Sequence, residues 1–268
     1  MTDETSITTL KEAGLPLDLE SLTKDAGMGS TKMALQDLAI PFLYTLHSLS
    51  PQCNRDNAKY IVGANPGMMY LSVVEKVFDT KIKPLEVVFC YYERKLPEWK
   101  PREKGGGIVT THSIDSDIMS KTRPNEKGIP TLLNGNNVIE TAYNYVLVGD
   151  GTTWYQALMP LKSTGLKVSR KLNSLMATLK IPNTTQSAPR FLYKWNLTTL
   201  KDQKDDMIWY NPMLSMGDMV DKELYGKAKS FCEIAMKGII NTTETEEASS
   251  GGVKGGSTAH LKDDDIPF

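Results

Sequence analysis

Tyr91, Tyr92 and Trp99 lie among Arg94, Lys95, Lys100, Arg102 and Lys104, so three rings and five cations fall within fourteen residues. The run Gly105-Gly106-Gly107 follows, and glycine lets a backbone approach a ligand closely. A second stretch, Arg190-Phe191-Leu192-Tyr193-Lys194-Trp195, repeats the mixture. On a strand, Phe191, Tyr193 and Trp195 share one face while Arg190 and Lys194 take the other. Trp154-Tyr155 is a third, shorter candidate. Rings interleaved with cations suit an unpaired nucleic-acid strand, which offers a π face on each base and a charge on each phosphate. Core packing competes for every ring. Phe89, Phe191 and Tyr143 are read as core. Trp99, set between Glu98 and Lys100 and bounded by Pro97 and Pro101, is expected at the surface as a base-stacking ring. Alternation alone leaves open which face of 191–195 turns inward.

The elements that must hold these residues read as mainly β. A helix is expected over 41–49, because Pro41 suits a first helical turn. Strands are expected over 68–74, 85–92, 98–102, 136–148 and 153–161, with 112–130 a long loop. Asp150-Gly151 is a hairpin signal, and Tyr143 and Tyr145 fall on one strand face. The period changes over 163–179, where Leu166, Leu172, Leu175, Met176 and Leu179 form a helical stripe beside Lys167, Arg170, Lys171 and Lys180. Those cations are read as a solvated face. A strand pair over 190–200 and 207–210 and an amphipathic helix over 219–240 complete the body.

Charge is unevenly spread over the 268 residues. Residues 1–28 hold 2 basic and 6 acidic residues, and residues 240–268 hold the same numbers, so the body between carries the positive balance. A basic body between acidic ends fits an anionic ligand. Cys53, Cys90 and Cys232 are odd in number and scattered, with no disulfide framework and no metal spacing. Neither a secretory signal nor a membrane-length apolar run is visible, so a soluble, cytoplasmic protein is expected. Catalysis is not expected. The glycine run lacks the lysine–serine pair of a nucleotide loop. The pairs Asp115/Asp117 and Asp205/Asp206 sit in polar segments where solvated acids are the ordinary explanation. No metal and no cofactor are expected.

The C-terminal stretch differs from the rest. Residues 241–262 are rich in Thr, Glu, Ser and Gly and contain no aromatic residue, the composition of a disordered linker. Asp263-Asp264-Asp265-Ile266-Pro267-Phe268 then ends the chain. Three carboxylates precede an apolar Ile, a stiff Pro and a terminal Phe. This chemistry suits capture by a basic rim around an apolar pocket. The six residues closely resemble the C-terminal tip of bacterial single-stranded DNA-binding proteins. The body is more similar to a bacteriophage-encoded protein of that kind than to the bacterial cellular one. The resemblance implies that the tip recruits replication, recombination and repair proteins and folds back on the DNA groove when DNA is absent.

Together these readings predict an α+β chain in three parts. An acidic flexible segment spans 1–28. A binding domain spans 29–240, expected as an antiparallel oligonucleotide-binding (OB) barrel with an inserted helix. A disordered linker with its protein-interaction tip spans 241–268. The expected function is sequence-nonspecific binding and protection of single-stranded DNA. A phage scaffolding protein and a strand-annealing recombination mediator are the alternatives.

Overall fold

A computed structural model gives the fold and describes residues 18–30, 32, 38–204 and 207–238. The chain divides into two units, residues 1–38 and 39–268. In the first, helix α1 (Leu19–Lys24) starts at Asp18, whose carboxylate accepts the Ser21 backbone N–H at 2.8 Å. The segment 1–28 is read from sequence as mobile or, at most, a short docking helix around 15–22; the described helix spans 19–24, and residues 1–17 lie outside the described residues.

The second unit holds two sheets. The smaller is β1 (Leu43–Thr45), β2 (Met69–Leu71) and β3 (Lys76–Phe78), paired antiparallel in that order. The larger has nine strands. Its framework is β4 (Leu85–Trp99), β9 (Thr141–Gly149), β10 (Trp154–Lys162), β11 (Tyr193–Lys204) and β12 (Met207–Met219). Short strands β5 (Ile108–Ser113), β6 (Arg123–Pro124), β7 (Pro130–Thr131) and β8 (Asn137–Val138) lie in the excursion between β4 and β9. Across the framework the spatial order is β12-β11-β4-β9-β10, all antiparallel. Helix α2 (Gly165–Thr178) joins β10 to the β11–β12 pair, and helix α3 (Lys222–Met236) follows β12.

Each helix buries one face. In α2 the buried positions are Gly165, Ser169, Leu172 and Met176; in α3 they are Leu224, Ala228, Phe231 and Ala235. Both sets follow the spacing of 4, 3 and 4 residues that puts side chains on one stripe. The large sheet lies between two cores. Val87, Phe89, Val146, Met159 and Trp195 pack with Leu172 and Met176 of α2. Val88, Cys90, Tyr143, Tyr145 and Leu158 pack with Phe231 and its neighbours on α3. Tyr143 and Tyr145 thus share a face as their spacing predicts. Between Phe89 and Tyr91 the β4–β9 register shifts by one residue. This bulge leaves Cys90 and Tyr91 both in the α3 core and turns Tyr92 to the opposite side.

Four expectations are corrected. Residues 41–49 are not helical: 43–45 are strand β1. The Pro41 carbonyl accepts the Leu158 N–H at 2.8 Å, and Phe42 bridges Leu158 in parallel. Pairing along β10 therefore holds this segment extended, against its helical start signal. Of the separate strand expected over 98–102, Glu98 and Trp99 are the end of β4, one continuous strand of 15 residues, and 100–102 are not strand. The strand expected over 136–148 is divided into β8 and β9 at Ile139-Glu140. Finally, the strands do not close into a barrel among the described residues. The sheet ends at β12 on one side, and β10 meets residues 41–42 rather than β12 on the other.

Candidate nucleic-acid interface

The C-terminal end of β4 builds the first part of the site. Trp99 is 7% exposed, against the expectation of a surface ring. Lys162, the last residue of β10, sets its ammonium 4.7 Å from the ring centroid, a cation–π contact. Glu98 is buried beside it and accepts hydrogen bonds from Asn136 Nδ2 at 2.6 Å and Asn134 Nδ2 at 3.3 Å, with His112 Nε2 at 3.0 Å. The Asn136 bond leads in holding the Glu98 carboxyl below its usual range, with His112 and Asn134 adding to it against the effect of burial. The carboxylate beside Trp99 is thus paired inward, and the ring is roofed by Lys162 rather than open.

Beyond Trp99 the chain makes a tight loop. The Lys100 N–H donates to the Gly107 carbonyl at 2.9 Å, and the Gly106 N–H donates to the Pro101 carbonyl at 3.0 Å. Gly105, Gly106 and Gly107 have φ of +96°, +64° and +87°. Three consecutive residues in that region explain the glycine run by backbone geometry alone. Arg102 opens the short 3₁₀ turn Arg102–Lys104. The Lys104 ammonium donates to the Asn134 carbonyl at 3.2 Å, and Lys100 is exposed. Lys100, Lys104 and Lys162 therefore gather at one end of the sheet.

The second part surrounds Arg190. Its guanidinium lies 5.2 Å from the Tyr92 ring and 5.8 Å from the Phe89 ring. Its Nη2 donates to Asn144 Oδ1 at 3.2 Å, while its Nε has no hydrogen-bond partner. Among the described residues it enters no salt bridge. Burial brings the group down to about 10. A half-buried cation between two rings and without a carboxylate is suited to receiving an anion from outside.

The other predicted residues are placed differently. Tyr91 tilts against Tyr145 at 5.5 Å on the α3 side. Arg94 pairs with Glu140 at 3.0 Å, Lys95 with Glu93 at 2.7 Å and Lys194 with Glu86 at 3.1 Å. Trp154 and Tyr193 are half-buried. Trp195 is 2% exposed and meets Phe89 edge-on at 6.3 Å. Of the 191–195 stretch, Phe191 and Trp195 are buried, so the candidate stacking ring Trp195 is a core residue. Phe89, Phe191 and Tyr143 are core as expected. Lys162 and Asn144 were not among the expected site residues. Asn144 did leave a signal, an amide in the middle of the apolar run Thr141–Gly149. Lys162 left none, since its partner lies 63 residues away in sequence.

Asp117 pairs with Lys121 at 3.0 Å. Asp205 and Asp206 lie outside the described residues, as do the linker 241–262 and the tip residues Asp263, Asp264, Asp265, Ile266, Pro267 and Phe268. Among the described residues no helix is long and apolar enough to cross a membrane.

Comparison with curated proteins and with solved structures finds no match. The profile of one protein family does match, over residues 10–241, which takes in every described element. The chain belongs to the Pam3 phage gp34-like protein family.

Proposed function

We propose that this phage protein binds single-stranded DNA without sequence preference and recruits replication and recombination proteins through its C-terminal tip. The observation that carries this reading is the terminal sequence Asp263-Asp264-Asp265-Ile266-Pro267-Phe268. Three further observations support it. The framework runs β4-β9-β10-α2-β11-β12 along the chain with spatial order β12-β11-β4-β9-β10. We read this order as compatible with an OB-like arrangement, a five-stranded, partly open Greek-key sheet. Lys100, Lys104 and Lys162 collect at one sheet end, and Arg190 lies beside Tyr92 with no carboxylate partner among the described residues. These five residues are the proposed contacts with phosphate and base. Trp99 and Trp195 act as framework beneath them.

The protein is proposed to act as a binding module rather than an enzyme. Each base stacked on a ring contributes about 1–3 kcal/mol, and each phosphate neutralised adds salt dependence. Deleting Asp263–Phe268 is the separating experiment. Affinity for a fluorescein-labelled oligo-dT, read by anisotropy, is expected to hold or tighten, because an acidic competitor is gone. Binding of tip-recognising replication proteins is expected to vanish. Weaker DNA binding after the deletion contradicts the proposal.

A further inference from the structure

Leu133 is 94% exposed in the turn between β7 and β8. A single exposed leucine is ordinary on a protein surface. This one stands on a turn that is fixed from several sides. The Gly135 N–H donates to the Leu132 carbonyl at 2.9 Å, and the Leu132 N–H donates to the Asn136 carbonyl at 2.8 Å. Gly135 has φ of +88°, and a left-handed residue after the turn is a common way to close a short hairpin loop. The Asn134 side chain ties the turn to the sheet. Its Oδ1 accepts the Asn136 N–H at 2.9 Å, and its Nδ2 donates to Glu98 Oε1 at 3.3 Å. A contact group held on fixed backbone loses little freedom when a ligand meets it.

The same turn holds a cation. The Lys104 ammonium donates to the carbonyl of Asn134, the residue after Leu133, at 3.2 Å. Lys104 enters no salt bridge among the described residues. An apolar side chain and an ammonium without a carboxylate partner thus meet at the sheet end where Lys100 and Lys162 also gather. The ligand they call for has an apolar face next to an anionic group, which is the build of a nucleotide in a strand.

The two groups do different work. Phosphates line paired and unpaired strands alike, so the lysines hold either. An apolar side chain reaches the face of a base directly in an unpaired strand. In a duplex it must first unstack a base step.

We propose that Leu133 packs against a base of the bound strand while Lys104 meets an adjoining phosphate, and that the leucine contact makes this site prefer unpaired over paired strands. The inference rests on reading the chain as a strand binder, and it adds the residue that selects among nucleic acids. Leu133 takes the part that an exposed ring plays in a stacking platform, a part that buried Trp99 does not fill.

The test compares Leu133→Ala, Leu133→Phe and Ile82→Ala with the unaltered full chain. Ile82 is 83% exposed and precedes β4, at the opposite end of that strand from Trp99. It controls for the loss of any exposed apolar group. Anisotropy is read with three fluorescein-labelled probes: an oligo-dT, an abasic strand of the same length, and a duplex. The last two carry phosphates but offer no free base face along their length. Leu133→Ala is expected to weaken oligo-dT binding roughly fivefold, the lower end of one lost base stack. Its binding of the abasic strand and the duplex is expected to be unchanged, as is its slope of log K against log salt, because no phosphate contact is lost. Leu133→Phe is expected to match or exceed the unaltered chain on oligo-dT, and Ile82→Ala to match it. Undiminished oligo-dT binding by Leu133→Ala, an equal loss on all three probes, an equal loss in Leu133→Phe, or an equal loss in Ile82→Ala overturns the inference and leaves strand binding standing. No binding of oligo-dT by the unaltered chain at low ionic strength overturns the proposed function, and this inference with it.

Discussion

At Trp195 the indole lies edge-on to Phe89 with 2% of its surface exposed. Trp195→Ala leaves a cavity in the main core and is expected to cost about 3–5 kcal/mol of stability. Urea unfolding followed by circular dichroism measures this. An unchanged midpoint together with lost oligonucleotide affinity would return Trp195 to the surface role its neighbours suggest. His47 gives a pH prediction. Burial lowers its pKa, so the folded protein favours the neutral ring while the unfolded chain titrates near its ordinary value of about 6.5. The unfolded state therefore takes up the proton first as pH falls. Stability is expected to decline from pH 7.5 to 5.5, and His47→Gln is expected to shrink that decline in parallel urea titrations. An equal decline in the variant contradicts the assignment. Burial of Trp99 was not legible from sequence. Glu98, Lys100 and two prolines imply exposure, whereas Asn134 and Asn136 from the β7–β8 turn and His112 of β5 pair the Glu98 carboxylate, and Lys162 of β10 roofs the ring.

The β9–β10 hairpin shows how an element constrains its neighbours. Gly149 faces the Trp154 ring, and a Cβ at that position would come within 2.9 Å of it. Gly149→Ala is expected to destabilise by about 1–3 kcal/mol through overpacking. Adding Trp154→Leu should recover part of that loss, and thermal unfolding of the two single variants and the double measures the coupling. Additive losses contradict the contact. The hairpin itself was legible, because Asp150-Gly151 follows an apolar run and precedes another. So were α2 and α3, whose 3.6-residue period reflects one buried face each, and the first half of β4, whose β-branched and aromatic run is buried on both faces. Segment 41–49 was not, because its conformation is fixed by a hydrogen bond to Leu158 more than a hundred residues away. The short strands β5 to β8 were not either. β5 has six residues and β6, β7 and β8 two each, too few to show an alternation, and they pair with β4 or with one another.

For the whole molecule, charge distribution and topology were partly legible. The mainly antiparallel β character followed from alternation, whereas the open edge at β12 depends on where residues 41–42 dock. The acidic ends and basic body give the electrostatic frame in which the tip and an oligonucleotide would both be attracted to the same body. The most direct measurement is the affinity of the full chain for a fluorescein-labelled oligo-dT as ionic strength is raised. With Lys100, Lys104, Lys162 and Arg190 each neutralising one phosphate, log K against log salt is expected to fall with a slope of roughly −3. Lys100→Ala with Lys104→Ala should reduce that slope by about 1.4. No binding at low ionic strength, or binding whose slope is unmoved by the paired substitution, would contradict a cationic sheet end that grips unpaired strands.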